Sequence, residues 1–193
     1  MKPEANTTIQ YLFRAKNDVI SEPILYAVTT SLFGLVLVGC TTRGICAIFL
    51  ADDKSNLITQ LRQAFPGAET AESPATLTRQ VQQVKDLIEN NVVEGEMTLD
   101  IGGAVFEQQV WKALCDIPVG ATRSYSRIAA IIGSPDAARA VAGACAANIL
   151  AVAIPCHRVV RQDGSLSGYR WGVERKRALL AFEAAHSAPG ARQ

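Results

Sequence analysis

The sequence has few of the features that mark membrane or secreted proteins. No apolar run in its 193 residues approaches the roughly 20 residues that a membrane-spanning helix requires. The N-terminus, with Lys2 and Glu4, has no apolar core of the kind that signal peptides carry. Five cysteines, an odd number at irregular spacing, do not make a disulfide framework. We therefore expect a cytoplasmic protein with reduced thiols.

The sequence also lacks a metal-binding pattern. It has no Cys-x-x-Cys pair, and its histidines are limited to His157 and His186. We expect no metal and no other cofactor. Four cysteines are assigned to packing in apolar surroundings, namely Cys40, Cys46, Cys115 and Cys145.

The charge is close to balanced over the whole chain but not over its halves. Residues 1–100 carry 8 Lys and Arg against 12 Asp and Glu, whereas residues 101–193 carry 11 against 6. A basic half indicates an acidic partner, and nucleic acid is one candidate. The alternative is that the positive charges only solvate a helix face.

The first half has the pattern of a small α/β domain, which we place at residues 1–97. Three β-branched and apolar runs, at residues 24–30, 35–41 and 45–50, are separated by short connections, as in antiparallel hairpins. Apolar residues at helical spacing predict helices over residues 52–65 and 77–88. The polar stretch 90–96 is the candidate linker.

The second half, residues 98–193, is predicted to be mostly helical. Ser124 is placed to cap a short helix that ends at Gly133. Ser134 then caps a helix over residues 136–148, with Pro135 at its first position. Two short helices joined by a tight turn are typical of a helix-turn-helix unit, whose second helix enters a DNA groove.

Helices and a turn surround this unit in the prediction. A helix with apolar residues on one face ends before residues 118–120. Residues 159–161 and 166–168 flank a Gln-Asp-Gly-Ser turn and predict a hairpin or wing. A last helix is predicted over residues 173–185.

The helix over residues 136–148 carries one long side chain, Arg139, among very small residues. A helix that reads base sequence in the major groove needs several polar side chains. This smooth helix therefore favours close approach to a groove without sequence reading. The other interpretation is a small-residue helix packed in the core.

Cys156 and His157 are the most reactive pair in the sequence. Only a thiolate attacks an electrophile efficiently, and a neighbouring base favours its formation. The pair alone is weak evidence, because adjacent strand residues point to opposite faces and buried cysteines are usually inert.

The residues around the pair give it a family context. Ile-Pro-Cys-His-Arg-Val at residues 154–159, with Asn148 before it and Gly-Tyr-Arg-Trp-Gly at 168–172 after it, resembles the O6-alkylguanine-DNA alkyltransferases. These are also called methylated-DNA–protein-cysteine methyltransferases, and the resemblance is strongest to their bacterial adaptive-response members. It covers nearly the whole chain, including Arg-Gly-Ile-Cys-Ala-Ile at 43–48 and Phe-x-x-x-Val-Trp at 106–111.

The resemblance implies a fold, a reaction and a partner. The fold would be a ribonuclease-H-like N-terminal domain followed by a winged-helix-like C-terminal domain. The cysteine would take the alkyl group from O6-alkylguanine, or from O4-methylthymine, and would act once because a thioether carbon is a poor electrophile. The partner would be double-stranded DNA, bound by a monomer in the minor groove with little sequence preference and without a membrane.

Four family roles concern the reacting thiol. Cys156 would be the alkyl acceptor, and His157 the base that acts on it through a bridging water. Glu183 would orient the imidazole, and Asn148 would be the hinge before the active-site loop. Without the family, Glu183 is interpreted as a solvent-facing residue and Asn148 as a helix C-cap.

The other family roles concern the substrate. Tyr125 would hydrogen-bond the flipped guanine, although a core or capping role is the alternative for it. Arg139 would enter the duplex in place of the extruded nucleotide. The guanine pocket would be completed by Val159, Tyr169 and the backbone of Arg170, and the small residues facing the groove would be Ala138, Ala140 and Gly143.

Three other functions are weighed against this one. A lesion-binding module of the same family lacks the acceptor cysteine, so Cys156 argues against it. A cysteine hydrolase would turn over repeatedly, and a winged-helix transcription regulator would transfer no alkyl group. Some family members hold zinc through cysteines and a histidine of the N-terminal domain, and no histidine precedes His157 here.

Overall fold

The part of the chain that the structure describes divides into two units. The structure, a computed structural model, describes residues 8–16 and 18–187, so the N-terminal residues tested above for a signal peptide lie outside it. The first unit contains the described residues up to Gly103 together with Ile149–Ala153. The second contains Ala104–Asn148 and the described residues from Ile154 onward. Both helices and strands are present, which confirms the predicted α/β class.

The first unit is a mixed β-sheet with two helices. Its described elements are β1 (Thr8–Ala15), β2 (Ile24–Ser31), β3 (Gly34–Thr41), β4 (Gly44–Ala51), α1 (Lys54–Ala64), β5 (Thr70–Glu72), α2 (Thr78–Asn90) and β6 (Glu96–Gly103). The strand order is β1-β6-β4-β3-β2-β5. The pairs β2–β3 and β3–β4 are antiparallel, whereas β1–β6, β4–β6 and β2–β5 are parallel.

The predicted hairpins and helices of this unit are confirmed. Residues 36–40 of β3 and 45–51 of β4 are buried, as expected for strands that read as continuous apolar runs. In α1 the Asp53 side chain accepts a hydrogen bond from the Asn56 backbone N–H at 2.8 Å and so caps the helix. Leu57 and Leu61 form the buried face of α1.

Strands β1, β5 and β6 were not predicted, and β6 changes the position of the domain boundary. The predicted division between residues 97 and 98 falls inside β6, which pairs with β1 in continuous register through Gly103. In β6, Met97, Leu99 and Ile101 alternate with polar residues, which is a strand pattern that the sequence analysis overlooked. One of these polar residues is Asp100. It is buried, and it accepts hydrogen bonds from Arg14 Nε at 3.2 Å and Thr41 Oγ1 at 2.8 Å.

The second unit is mostly helical, as predicted. Its described elements are α3 (Val105–Cys115), β7 (Arg123–Ser124), α4 (Tyr125–Ile131), α5 (Ala138–Ala147), a 3₁₀ turn (Cys156–Arg158), β8 (Val159–Val160) and α6 (Val173–Ser187). Trp111 Nε1 in α3 donates to the Ala144 carbonyl in α5 at 2.9 Å, which fixes the two helices against each other. Among the described helices, none has the length and apolar character needed to cross a membrane.

The predicted cap of α4 is confirmed, but that of α5 is wrong. Ser124 Oγ accepts from the Arg127 N–H at 3.1 Å. Ser134 does not cap α5, which begins four residues later at Ala138. The Ser134 carbonyl instead accepts from the Ala137 N–H at 2.9 Å. Residues 134–137 thus form a separate turn, and Pro135 precedes the helix.

The predicted hairpin after Cys156 is also wrong in part. The turn exists, because the Arg161 N–H donates to the Ser165 carbonyl at 3.0 Å and Asp163 accepts from the Ser165 N–H at 2.9 Å. Residues 166–168 form no strand, however, and β8 pairs in parallel with β7. The Val159 carbonyl accepts from Lys176 Nζ at 2.6 Å instead of from a hairpin partner.

Candidate active site around Cys156

Cys156 begins the 3₁₀ turn that follows Pro155, and its side chain is buried. Asn148, at the C-terminal cap of α5, donates from Nδ2 to Cys156 Sγ at 3.2 Å and to the Ile154 carbonyl at 2.9 Å. Asn148 is therefore both the C-cap that the residues alone suggested and a contact of the thiol. One amide fixes the sulfur and the backbone that leads to it.

The imidazole of His157 is fully buried and faces Glu183 of α6. His157 Nε2 lies 2.8 Å from Glu183 Oε1. Because a buried carboxylate accepts, the proton of a neutral imidazole lies on Nε2 and leaves a lone pair on Nδ1. His157 Nδ1 has no hydrogen-bond partner among the described residues. The solvent-facing interpretation of Glu183 is wrong, since the residue is 2% exposed.

Arg158 completes the environment of Glu183, and sequence reasoning did not single it out. Its Nε donates to Glu183 Oε2 at 3.0 Å and its Nη2 to Oε1 at 2.9 Å. Its Nη1 donates to the Ile117 carbonyl at 2.7 Å. The Gly120 N–H adds a further donor to Oε2 at 3.2 Å. The carboxylate is thus saturated with donors, as a buried charge requires.

The ionisation of the three central groups follows from this packing. Burial raises the pKa of the Cys156 thiol to about 11, although the Asn148 amide and the Lys176 charge oppose the shift. Burial lowers the pKa of His157 and outweighs the hydrogen bond that His157 donates to Glu183, which acts in the opposite direction. Burial would raise the pKa of Glu183, but the donors of His157 and Arg158 bring it down to about 2. At neutral pH the site holds a thiol, a neutral imidazole and a carboxylate.

A cavity of about 610 Å³ opens onto the thiol. Of the eight residues predicted to contact the guanine or the DNA, five line it: Tyr125, Ala138, Arg139, Tyr169 and Arg170. Three do not. Val159 is fully buried with its carbonyl on Lys176, and Ala140 and Gly143 lie on α5 exposed to solvent. Cys145 was assigned to packing, yet it lines the same cavity as Cys156.

A buried lysine next to the cavity was also missed. Lys176 is fully buried and donates to the Val159 carbonyl at 2.6 Å and to Ser167 Oγ at 3.1 Å. Ser167 Oγ is in turn hydrogen-bonded to the Tyr125 hydroxyl. Lys176 lies three residues before Leu179 and seven before Glu183, on the buried face of α6. That helical spacing is the signal that could have found it.

The chain resembles known proteins in sequence. Residues 105–185 match the family described as 6-O-methylguanine DNA methyltransferase, DNA binding domain. A methylated-DNA–protein-cysteine methyltransferase of Mycolicibacterium paratuberculosis is 41% identical over 136 residues, which cover 68% of this chain and 82% of that protein. The chain belongs to the methylated-DNA–protein-cysteine methyltransferase family.

Two further relatives extend the match beyond the site. The regulatory protein Ada of Salmonella typhimurium is 50% identical over 172 residues, covering 89% of this chain and 48% of Ada. The chain thus spans about half the length of the curated Ada relatives that it matches. The crystal structure of the Mycobacterium tuberculosis methyltransferase (OGT) in complex with DNA is 33% identical, covers 86% of this chain and 96% of that one, and superposes with a TM-score of 0.68.

Removing the side-chain amide of Asn148 should make the Cys156 thiol less acidic. Asn148→Ala deletes the donor to the sulfur, so we expect the pKa of Cys156 to rise further and its reaction with iodoacetamide to slow about tenfold, the equivalent of one pKa unit. Mass spectrometry of the Cys156 peptide at increasing pH measures both. Reaction of the buried Cys46 in the same samples controls for loss of the fold. A wild-type rate that levels off near neutral pH, or equal rates in the two proteins, would contradict this account.

Proposed function

We propose that the protein repairs DNA by transferring the alkyl group of O6-alkylguanine, and of O4-methylthymine, irreversibly to Cys156. The observation that carries the proposal is a buried thiol at a cavity, beside a neutral imidazole that a buried carboxylate holds. The names of the relatives support it, since they are methylated-DNA–protein-cysteine methyltransferases.

The reaction follows from the protonation states of the site. His157 Nδ1 accepts the thiol proton of Cys156 through a bridging water, for which its partnerless nitrogen is suited. The thiolate attacks the alkyl carbon, so an S–C bond forms while the C–O6 bond breaks and its electron pair stays on the guanine. Glu183 stabilises the imidazolium that results. The product is a thioether with no second nucleophile aimed at it, and the protein acts once.

Tyr125 is the group assigned to assist departure of the guanine. Burial raises the pKa of Tyr125, so its hydroxyl is protonated at neutral pH and can donate to the leaving base. The hydrogen bonds through Ser167 to Lys176 fix the position of that hydroxyl at the cavity wall. Exchange with solvent returns to Tyr125 the proton that His157 took from the thiol.

The exposed face of α5 is the surface we assign to the DNA minor groove. Val141, Ala144 and Cys145 form its buried face, which leaves Arg139, Ala140 and Gly143 exposed. A Cβ added at Gly143 would meet no atom within 4 Å. Packing within the protein therefore does not require glycine there, although glycine in a helix interior costs about 1 kcal/mol relative to alanine. A smooth surface for an approaching duplex accounts for its presence.

This assignment extends to the family fold. We place the ribonuclease-H-like fold in the first unit and the winged-helix-like fold in the second. The solved DNA complex of the Mycobacterium tuberculosis relative supports DNA as the partner. Because the lesion is stacked inside the duplex, the nucleotide is extruded into the cavity and Arg139, exposed at its rim, fills the gap. Binding as a monomer with little sequence preference completes the proposal.

The central test is stoichiometry. Incubation with duplex DNA that carries labelled O6-methylguanine should place one methyl group on Cys156 and none on Cys145, since Cys156 is adjacent to His157 in the chain and its sulfur is hydrogen-bonded to Asn148. Cys156→Ser should bind the same DNA and gain no label. Turnover beyond one methyl group per protein would favour a hydrolase, and label on Cys145 would contradict the assignment of the acceptor.

Arg139 should matter for duplex DNA and not for the free base. Extruding a nucleotide costs a few kcal/mol, so Arg139→Ala should slow methyl transfer from duplex DNA at least about tenfold, because 1.4 kcal/mol equals a factor of ten. Transfer from free O6-methylguanine should stay near the wild-type rate. Arg177→Ala, which removes an exposed charge of α6, is the matched control. Equal losses with both substrates would show that Arg139 supports the fold.

A further inference from the structure

One carboxylate in the buried site serves two cationic or potentially cationic partners. Glu183 accepts two hydrogen bonds from the guanidinium of Arg158, at 3.0 and 2.9 Å, and one from His157 Nε2, at 2.8 Å. The guanidinium is planar and always charged, and a bidentate pair with a carboxylate is its strongest arrangement. The bond from its Nη1 to the Ile117 carbonyl, at 2.7 Å, prevents it from rotating away. The negative charge of Glu183 is therefore taken up by Arg158.

Among the residues that the structure describes, few other charged or titratable groups surround His157. Lys176 of α6 is fully buried and adds a second cation to the surroundings of the imidazole. Cys156 is adjacent in the chain, and the Tyr169 ring meets the imidazole edge-on with 6.4 Å between centroids. In this group of side chains Glu183 carries a negative charge, whereas Arg158 and Lys176 each carry a positive charge. A proton on His157 would thus add a third buried positive charge.

Hydrogen bonding determines which nitrogen carries the proton of the neutral ring. His157 Nε2 lies 2.8 Å from Glu183 Oε1, whereas Nδ1 has no partner among the described residues. The proton therefore lies on Nε2 and the lone pair on Nδ1. The surrounding positive charges favour the neutral ring, and the hydrogen bond to Glu183 selects its tautomer.

We propose that Arg158 is a positioning residue that compensates the charge of Glu183 and thereby keeps His157 neutral, with its proton on Nε2 and its lone pair on Nδ1. The proposal rests on the proposed function only for what a neutral His157 means for the reaction of Cys156. A neutral imidazole leaves Cys156 as a thiol until a substrate fills the cavity, and it is then able to accept the thiol proton. A protein that acts once is in this way protected from reaction with adventitious electrophiles.

The test is the titration of His157 by NMR in the absence of DNA. The chain has two histidines, so isotope-labelled histidine gives two sets of ring signals, and the exposed His186 is an internal reference. In the wild type His157 should be singly protonated on Nε2 at neutral pH. In Arg158→Gln its midpoint should rise by at least about one pH unit, a tenfold gain in proton affinity. The sign follows from Glu183, whose uncompensated charge would then act on the imidazole alone.

Three variants separate charge from packing. Arg158→Lys keeps the positive charge but not the paired N–H donors of the guanidinium, and it should keep the His157 titration midpoint close to that of the wild type. Arg158→Gln combined with Glu183→Gln removes both charges and should cancel the rise. Arg177→Gln, an exposed arginine paired with Glu174, is the matched control and should change nothing. A merely structural role of Arg158 predicts no ordered shift among these proteins.

The outcomes that overturn the proposal are distinct from failure of the proposed function. An imidazolium at neutral pH in the wild type would overturn it without any variant, even if Arg158→Gln does not fold. An unchanged midpoint in Arg158→Gln, or an equal rise in Arg158→Lys, would overturn it as well. Because no DNA is present, the titration stands whether or not Cys156 proves to be an alkyl acceptor.

Discussion

The buried carboxylate of Glu183 is the interaction on which the rest of the second unit's chemistry depends. Donors from His157, Arg158 and Gly120 converge on its two oxygens, so α6, the 3₁₀ turn and the loop before β7 meet at one charge. Breaking a buried pair of this kind by removing one partner costs roughly 3–5 kcal/mol, because the remaining charge stays desolvated. The same contacts that hold the elements together also fix the imidazole and its tautomer. The contacts of Glu183 therefore determine both the packing of these elements and the protonation of His157.

Burial of Cys156 disfavours the thiolate form of its side chain. A nucleophilic cysteine needs a thiolate, yet burial raises the pKa of Cys156 to about 11. The Asn148 amide and the Lys176 charge lower the energy of the thiolate without making it the resting form. Under the proposed function, the proton leaves when the alkylated base is present, and His157 is the neighbouring group whose Nδ1 lone pair has no partner among the described residues. A thiol that ionises only at that stage suits the single reaction that we propose.

Local sequence signals predicted much of this fold. The apolar runs of β2, β3 and β4 and the Ser124 cap depend on neighbouring residues, and they appear where they were expected. β6 was missed although Met97, Leu99 and Ile101 alternate with polar residues, and the burial of Asp100 against Arg14 and Thr41 depends on residues distant in sequence. Ser134 was misjudged because a Ser-Pro pair also suits a turn, and its carbonyl closes one.

The candidate site was predictable where motif residues are adjacent and less so where the fold brings distant groups together. Cys156, His157 and Asn148 follow from one short segment, and Glu183 was placed by family position alone. The roles of Arg158 and Lys176 depend on contacts with Ile117, Glu183 and Val159, which lie 17 to 41 residues away along the chain. Val159 was expected in the guanine pocket, yet the carbonyl bond to Lys176 fixes it outside the residues that line the cavity.

The most direct test of this account is the single-turnover rate of methyl transfer by Glu183→Gln with saturating alkylated duplex DNA. An amide oxygen cannot serve both His157 and Arg158 as the carboxylate does, so the imidazole loses its orientation, and the imidazolium formed on proton transfer loses the carboxylate that stabilises it. We expect transfer to slow at least about tenfold, within the usual range for loss of general-base assistance, while affinity for DNA is unchanged. Glu174→Gln, at an exposed glutamate in the first turn of the same helix, should react at the wild-type rate. Transfer by Glu183→Gln as fast as by the wild type would contradict the central role given to this carboxylate.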